Sequence, residues 1–151
     1  MSWSARLREL GIKLPTAAKP LAAYVPAVRT GNLVYTAGQL PMTAGKLAVT
    51  GKVGADVTPE VGKTLARVSA LNALAAVDAL VGIDSLVRVV KVVGYVASAP
   101  GFTGQPSVVN GASELLGEVF GEAGGHARSA VGVSELPLDA PVEVELIVEV
   151  A

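Results

Sequence analysis

The sequence predicts an α+β domain in which one sheet carries both of its long helices on a single face, with the element order ββαβαββ. Three observations support this fold class. Apolar residues recur at helical spacing in two segments, which begin at Thr58 and at Pro106. The segment Leu86–Ala97 between them is almost continuously β-branched. The residues from Val142 to Val150 alternate between an apolar face and a mostly acidic one, as in a half-buried strand.

The N-terminal residues predict a short helix and an extended arm. The helix is expected to begin at its cap Ser4 and to end at Gly11, and Pro15–Pro20 favours extended backbone. We therefore divide the chain into an N-terminal helix and arm, 1–20, and a single domain, 21–151.

A β-hairpin is predicted next. Val25–Arg29 and Leu33–Ala37 have the composition of strands and flank the turn Thr30-Gly31-Asn32. Gly38 interrupts the second strand, which indicates either a β-bulge or a close approach of another group to the backbone. A glycine-rich loop, Thr43–Ala55, leads to the first long helix.

The long helices and the central strand have clear boundary signals. Thr58 is the expected N-cap of the first helix and Gly82 its end. Leu86–Ala97 is predicted to be a long central strand. The second helix is expected to run from Pro106 to Gly124.

The closing segment is predicted to form a hairpin between Arg128–Val133 and Pro141–Val150. Both helices are expected on one face of the sheet, so its other face has no cover within the chain. We expect a partner there. The side chains of the last strand that would point toward this face are Glu143, Glu145, Ile147 and Glu149.

The composition is compatible with such a partner without requiring one. Hydrophobic residues make up 51% of the 151 residues, charged residues 17% and aromatic residues 4%, so the core must be aliphatic. Low charge is expected for a protein whose apolar surface is covered by another subunit. It is equally expected for a protein with a well-filled core.

Several function classes are disfavoured by what the sequence lacks. Without cysteine there is no disulfide, thiolate metal site or cysteine nucleophile, and a single histidine does not build a conventional metal site. A net charge of −1 with thinly spread basic residues does not favour nucleic acid. The first ten residues lack the apolar run of a secretory signal, and no later run approaches a membrane span without glycine, proline or charge. We therefore expect a cytoplasmic protein that has neither nucleic acid nor membrane as a partner.

Arg128 and Glu143 are the charged residues of the closing hairpin that suggest a site. A permanent cation and an acid on adjoining strands are costly to bury unless they are paired or used. Their combination in an apolar hairpin indicates a small anionic ligand.

The same residues form a motif that resembles the RidA family (YjgF/YER057c/UK114). The likeness spans Lys19 to Val150, and its specific part lies at the C-terminal end. It implies a chorismate-mutase-like fold and homotrimers with ligand clefts between subunits. The implied activity is cofactor-free hydrolysis of reactive 2-imino or 2-enamino acids to 2-keto acids and ammonia. The motif residues are Tyr24, Thr36-Ala37-Gly38-Gln39-Leu40-Pro41, Ala127-Arg128-Ser129-Ala130-Val131, Leu136-Pro137 and Val142-Glu143-Val144-Glu145.

The resemblance assigns roles to the two charged residues. Arg128 matches the arginine that binds the substrate carboxylate, and its planar guanidinium offers two parallel donors for that task. Glu143 matches the acid beside the reacting carbon, where it can position water and transfer a proton. From the residues alone, Arg128 could instead pair with a glutamate, and Glu143 could be a solvated acid. We expect no such role for Glu145 and Glu149.

Five further positions are candidates for the cleft, of which Gly38, Tyr24 and Asn110 match family residues, whereas Ala130 and His126 depart from the family pattern. Gly38 would let the backbone approach the ligand, or simply form a β-bulge. Tyr24 and Asn110 would line the cleft, or serve as an interface aromatic and a helix-surface amide. Ala130 would offer its backbone to a water molecule. His126 would line the cleft or transfer a proton if the strand that contains Arg128 begins early enough to include residue 126. Otherwise His126 has a structural role.

The sequence also departs from the family pattern. Ala37 and Ala130 stand where members often have Ser and Cys, and Gly125-His126 stands where an aromatic residue followed by proline is common. These changes leave the substrate range open. They also leave two alternatives: a non-catalytic trimer that binds a small carboxylate as a sensor or regulatory module, and an endoribonuclease or translation inhibitor. The weak basic character disfavours the last.

Overall fold

The computed structural model describes residues 2–17, 19 and 22–151 and has the predicted order of strands and long helices. A five-stranded sheet of order β1-β2-β5-β3-β4 carries helices α2 and α3 on one face. An α+β fold is thus confirmed. The elements are α1 (Trp3–Glu9), β1 (Ala27–Thr30), β2 (Leu33–Thr36), α2 (Pro59–Val81), β3 (Leu86–Ala97), α3 (Gln105–Phe120), β4 (Ala127–Val133) and β5 (Val142–Val150).

The predicted hairpin between the last two strands is wrong. β4 pairs in parallel with β3, and β3 pairs on its other edge with antiparallel β5, so β3 separates the two. The reason is the crossover: α3 carries the chain from the end of β3 back to its start, and such a connection produces a parallel pair. β5 then fills the space between β3 and β2. Arg128 and Glu143 therefore do not lie on adjoining strands.

The core lies between the sheet and the two long helices. The apolar face predicted for β5 is confirmed, because every second residue from Val142 to Val150 is buried under the helices. The helix α2 begins as predicted, with the Thr58 hydroxyl accepting from the Val61 amide, and ends at Gly82. Its length and composition alone would allow it to cross a membrane, yet half of its most apolar stretch is buried inside this fold, as in a globular core helix.

Two helix ends differ from the prediction. Ser2, not Ser4, caps α1, because its hydroxyl accepts from the Ala5 amide. The helix α3 ends at Phe120, and residues 121–124 form a 3-10 turn. Gly121 adopts a positive φ of 58°, which ends the α-helix before Gly124, its predicted end.

The helix α1 packs on the rest of the domain. The Trp3 indole nitrogen donates to the Leu86 carbonyl at 2.7 Å, and its ring meets the Phe120 ring edge-on at 5.0 Å. Leu7 is buried in the same core. Of the predicted arm that follows, Ala18 and Pro20 lie outside the described residues.

The face of the sheet opposite the long helices, which we call the open face, is apolar in part. Val28 and Tyr35, which pair across β1 and β2, are 52% and 43% exposed there. A shallow cavity of about 220 Å³ lies over the middle of this face. The lining residues whose side chains point to the open face are Tyr35, Lys91, Val93, Glu145 and Ile147.

Candidate functional site

Arg128 lies at the edge of the sheet on the helix side, where α3 fixes its guanidinium. It is opposite Val92, which is fully buried under the helices, so both side chains point to that side. Its Nη1 donates to Asn110 Oδ1 at 2.7 Å and to Ser113 Oγ at 3.3 Å. Asn110 and Ser113 are three residues apart and share one face of α3. We call Arg128, Asn110, Ser113 and His126 the arginine half-site.

His126 completes this half-site through a chain of hydrogen bonds. Its Nδ1 lies 2.6 Å from the Gly124 carbonyl, which can only accept, so Nδ1 carries the proton in the neutral ring. Its Nε2 then accepts from Ser113 Oγ at 2.9 Å. The serine hydroxyl in turn accepts from Arg128. Donor and acceptor roles thus agree along the whole chain, which holds Arg128 in one orientation.

The guanidinium keeps donors for a ligand. Within the part of the chain that the structure describes, Arg128 forms no ion pair with a carboxylate, and its Nε and Nη2 have no hydrogen-bond partner. Among the described residues, Arg128 therefore does not form the ion pair with a glutamate that the sequence left open. A planar cation held by a neutral amide and a hydroxyl remains able to bind a carboxylate.

Glu143 lies on the open face of the sheet, in contact with the segment after β2. A Cβ atom added to Gly38 would overlap the Glu143 carboxyl group, so glycine is required for this approach. Gln39 then exchanges two backbone hydrogen bonds with Val144, of 2.8 and 3.0 Å, which hold the segment beside β5. Opposite Glu143 on β3 lies Tyr95, whose hydroxyl donates to Glu145 Oε1 at 2.9 Å. We call Gly38, Tyr95, Glu143 and Glu145 the glutamate half-site.

The electrostatics of this half-site favour a protonated acid. Burial raises the pKa of Glu143 above its usual range, and the negative charge of Glu145 raises it further. The pKa of Tyr95 is raised as well, first by burial and then by its hydrogen bond to Glu145. Acids with raised pKa values in a cleft are suited to proton transfer near neutral pH.

The two half-sites lie on opposite faces of one sheet. Val142 and Val144 point to the helices, so Glu143 between them points to the open face. Arg128 points to the helix side. Within one chain the two charged groups therefore cannot act on the same small molecule.

The other predicted site residues divide between these places. Asn110 and His126 join Arg128, and Ala130, two residues further along β4, points to the same side and packs partly against the core. Gly38 joins Glu143. Tyr24 is 57% exposed in the segment before β1.

Two residues of the half-sites, Ser113 and Tyr95, were missed by the sequence analysis, and Glu145, for which no role was expected, lies in the glutamate half-site as the hydrogen-bond partner of Tyr95. Ser113 could have been found from its helical spacing to Asn110. Tyr95 could not, because its place opposite Glu143 depends on the register of strands distant in sequence.

Comparison with known proteins agrees with this fold. The family model described as "YjgF/chorismate mutase-like, putative endoribonuclease" matches residues 4–150. The crystal structure of a protein of unknown function from Agrobacterium tumefaciens superposes with a TM-score of 0.91, is 48% identical, and covers 99% of this chain and 92% of its own. The fold and the matched range define an α+β protein of the YjgF/chorismate mutase-like class.

Two sequence relatives identify the family more narrowly. Protein TCP17 of Trypanosoma cruzi is 46% identical over 148 residues, which cover 97% of this chain and 92% of that protein. A 2-iminobutanoate/2-iminopropanoate deaminase of Dermatophagoides farinae is 32% identical over 138 residues, which cover 91% and 93%. The chain belongs to the YjgF/RidA family.

Proposed function

We propose that this protein hydrolyses reactive 2-imino or 2-enamino acids to 2-keto acids and ammonia, without a cofactor, in clefts between the subunits of a homotrimer. The observation that carries the proposal is the pair of half-sites. One presents a fixed arginine with free donors, and the other presents a half-buried acid against a glycine. A deaminase among the relatives supports the choice of substrate class.

The position of the half-sites supports the assembly. Arg128 and Glu143 face opposite sides of the sheet, so a site with both needs two copies of the chain. The edge strand β4 of one copy would bring its arginine to the open face of the next. Cyclic symmetry would repeat this contact around the trimer and give equivalent clefts.

The proposed reaction uses each residue for one task. The guanidinium of Arg128 holds the substrate carboxylate in two parallel hydrogen bonds. Water adds to the imine carbon to give a carbinolamine. Glu143 then protonates the amine, the carbon–nitrogen bond breaks, and the hydroxyl proton returns to Glu143 as the keto group and ammonia form.

A competition assay tests the proposal. Semicarbazide and water compete for the imine that a pyridoxal-phosphate dehydratase releases, so hydrolysis by the protein lowers the initial rate of semicarbazone formation. We expect this effect from the wild type and a loss of roughly 10²-fold in turnover for Glu143→Gln. Glu149→Gln, on the same face of the same strand, is the control and should behave as wild type. A wild-type protein without effect on the semicarbazone would contradict the hydrolase.

Arg128 gives a second test, which measures binding by calorimetry. Charge-assisted hydrogen bonds contribute roughly 1.5–3 kcal/mol each, so Arg128→Ala should weaken binding of pyruvate or 2-oxobutyrate at least about tenfold. Arg128→Lys should recover only part of the affinity. Arg29→Ala, at an exposed arginine bonded to backbone carbonyls, is the matched control. Equal binding by wild type and Arg128→Ala would refute the carboxylate anchor.

A non-catalytic carboxylate-binding trimer is the second candidate. Ala130 stands beside Arg128 on the helix side of β4 and offers no polar side chain to a substrate. Keto-acid binding that depends on Arg128, together with no imine hydrolysis, would favour this candidate. An RNA-degradation assay beside both tests examines the endoribonuclease description of the family model, and we expect no cleavage.

A further inference from the structure

Tyr95 and Glu145 belong to the glutamate half-site but have no task in the proposed reaction. The ring of Tyr95 extends from β3 beside Glu143, and its hydroxyl donates to the Glu145 carboxylate at 2.9 Å. Tyrosine can give one hydrogen through its hydroxyl, and here Glu145 receives it. The two acids of the half-site are thus not equivalent, because only Glu145 has this partner.

The surroundings of the two acids separate them further. Glu143 is half-buried against the segment that contains Gly38, and residues 36–41 of that segment carry no charge. Glu145 lines the cavity of the open face, together with Lys91 from β3 and Tyr35 from β2. Among the described residues, Glu145 therefore accepts a hydrogen bond and shares its cavity with a cationic side chain, whereas Glu143 has neither.

We propose that Tyr95 and Glu145 are positioning residues that place the single proton of this acidic pair on Glu143, which then serves as the acid of the reaction. The inference rests on the proposed function and adds to it the origin of the proton. The Tyr95 hydroxyl donates its hydrogen to the Glu145 carboxylate. The negative charge of Glu145 then disfavours a second negative charge on its neighbour Glu143.

The raised pKa of Glu143, caused by burial and by Glu145, agrees with this placement. In the proposed trimer, Arg128 of a neighbouring copy would approach Glu143, and its positive charge would lower the pKa of Glu143. The substrate carboxylate that this arginine binds neutralises its charge, so the proton stays on Glu143 while substrate is bound.

A carboxyl titration followed by carbon-13 NMR tests the placement directly, without any need for turnover. The Glu143 resonance is assigned from its loss in Glu143→Gln. In the wild type we expect it to titrate above the ordinary glutamate range. In Tyr95→Phe and Glu145→Gln its midpoint should move to lower pH, because the hydrogen bond or the charge that excludes a second anion is gone. Glu149→Gln, whose residue is opposite Arg88, should leave the midpoint unchanged.

Turnover gives the second readout. With Glu143 less protonated, kcat of Tyr95→Phe and Glu145→Gln should fall several-fold at neutral pH and recover at acidic pH, while KM stays near the wild-type value. A merely structural role would lower kcat at every pH.

The two readouts separate this inference from the proposed function. A wild type that hydrolyses no imine refutes the function, and the titration still decides where the proton lies. An unchanged Glu143 midpoint in both variants refutes the placement, as does an equal change in Glu149→Gln. Circular dichroism and thermal unfolding confirm that each variant is folded before either result is accepted.

Discussion

Gly38 has no side chain, and for this reason the carboxyl group of Glu143 can lie against the backbone at residue 38. The carboxyl group of Glu143 occupies the volume that a Cβ atom at residue 38 would need. The backbone at Gly38 has no positive φ, so the requirement comes from the close approach and not from the turn. Of the two interpretations that the sequence left open, the structure supports a close approach.

Gly38→Ala should therefore damage the site more than the fold. The obstructing atoms belong to the end of a flexible side chain, so Glu143 can rotate away at little cost in stability. We expect imine hydrolysis to fall by roughly tenfold or more, because a displaced acid transfers protons poorly. The competition assay and thermal unfolding measure the two effects.

Gly117→Ala is the matched control for this substitution. Gly117 lies in α3 with open space around its Cβ position, so alanine should stabilise the protein by about 0.5–1 kcal/mol without changing turnover. A Gly38→Ala variant that behaves in the same way would contradict the role given to Gly38.

The family resemblance named two of the four residues of the arginine half-site, Arg128 and Asn110, and the structure adds the hydrogen bonds that join the four. Arg128 and Asn110 come together as expected of cleft neighbours, and His126 joins them through Ser113. The partners of Glu143 were harder to predict. Tyr95 reaches Glu145 across a strand pair whose register no local pattern specifies.

At the scale of elements, the helices and strands were predictable because their signals are local. The cap at Thr58 and the stop at Gly82 lie within the helix they delimit, and β3 has the predicted bounds. Which strands pair is a non-local property, and there the prediction of a closing hairpin failed. The parallel pair formed through α3 places β4 on one edge of β3 and leaves the other edge to pair with β5.

The helix pair α2 and α3 provides a prediction at this scale. A Cβ atom on Gly111 would overlap the Lys63 carbonyl, so the two helices touch at backbone distance. Gly111→Ala must push α3 outward, and we expect a loss of about 1–3 kcal/mol in the free energy of unfolding. Denaturant unfolding measures the loss.

The same substitution should also weaken keto-acid binding, because Asn110 and Ser113 move with α3. Gly117→Ala is the control, because Gly117 lies in the same helix with open space around its Cβ position. Unchanged stability in Gly111→Ala would show that the helices do not need this contact.

At the scale of the whole molecule, the open face is a partly apolar surface that the two long helices leave uncovered. Val28 and Tyr35 are half exposed on it, and the long helices cover only the opposite side. A stable interface between two proteins buries about 1,200 Å² or more. If a neighbouring copy docks on the open face, an interface of this size would cover much of its apolar surface.

We expect the wild type to run as a trimer of 15.2 kDa chains in light scattering. Tyr35→Glu should shift it to monomers, because it places a charge beside Glu145 in the middle of the contact. Leu80→Glu, at an exposed position near the end of α2, should leave the trimer intact. A wild type that is monomeric at micromolar concentration would refute the shared cleft.

The placement of Arg128 and Glu143 on opposite faces has a genetic consequence. If the clefts form between subunits, each chain gives its arginine to one cleft and its glutamate to another. An allele lacking both residues would then inactivate both clefts that its product touches, and would be partly dominant over a normal allele. Two alleles that each lack one residue would complement each other, because mixed assemblies contain clefts in which an intact arginine meets an intact glutamate.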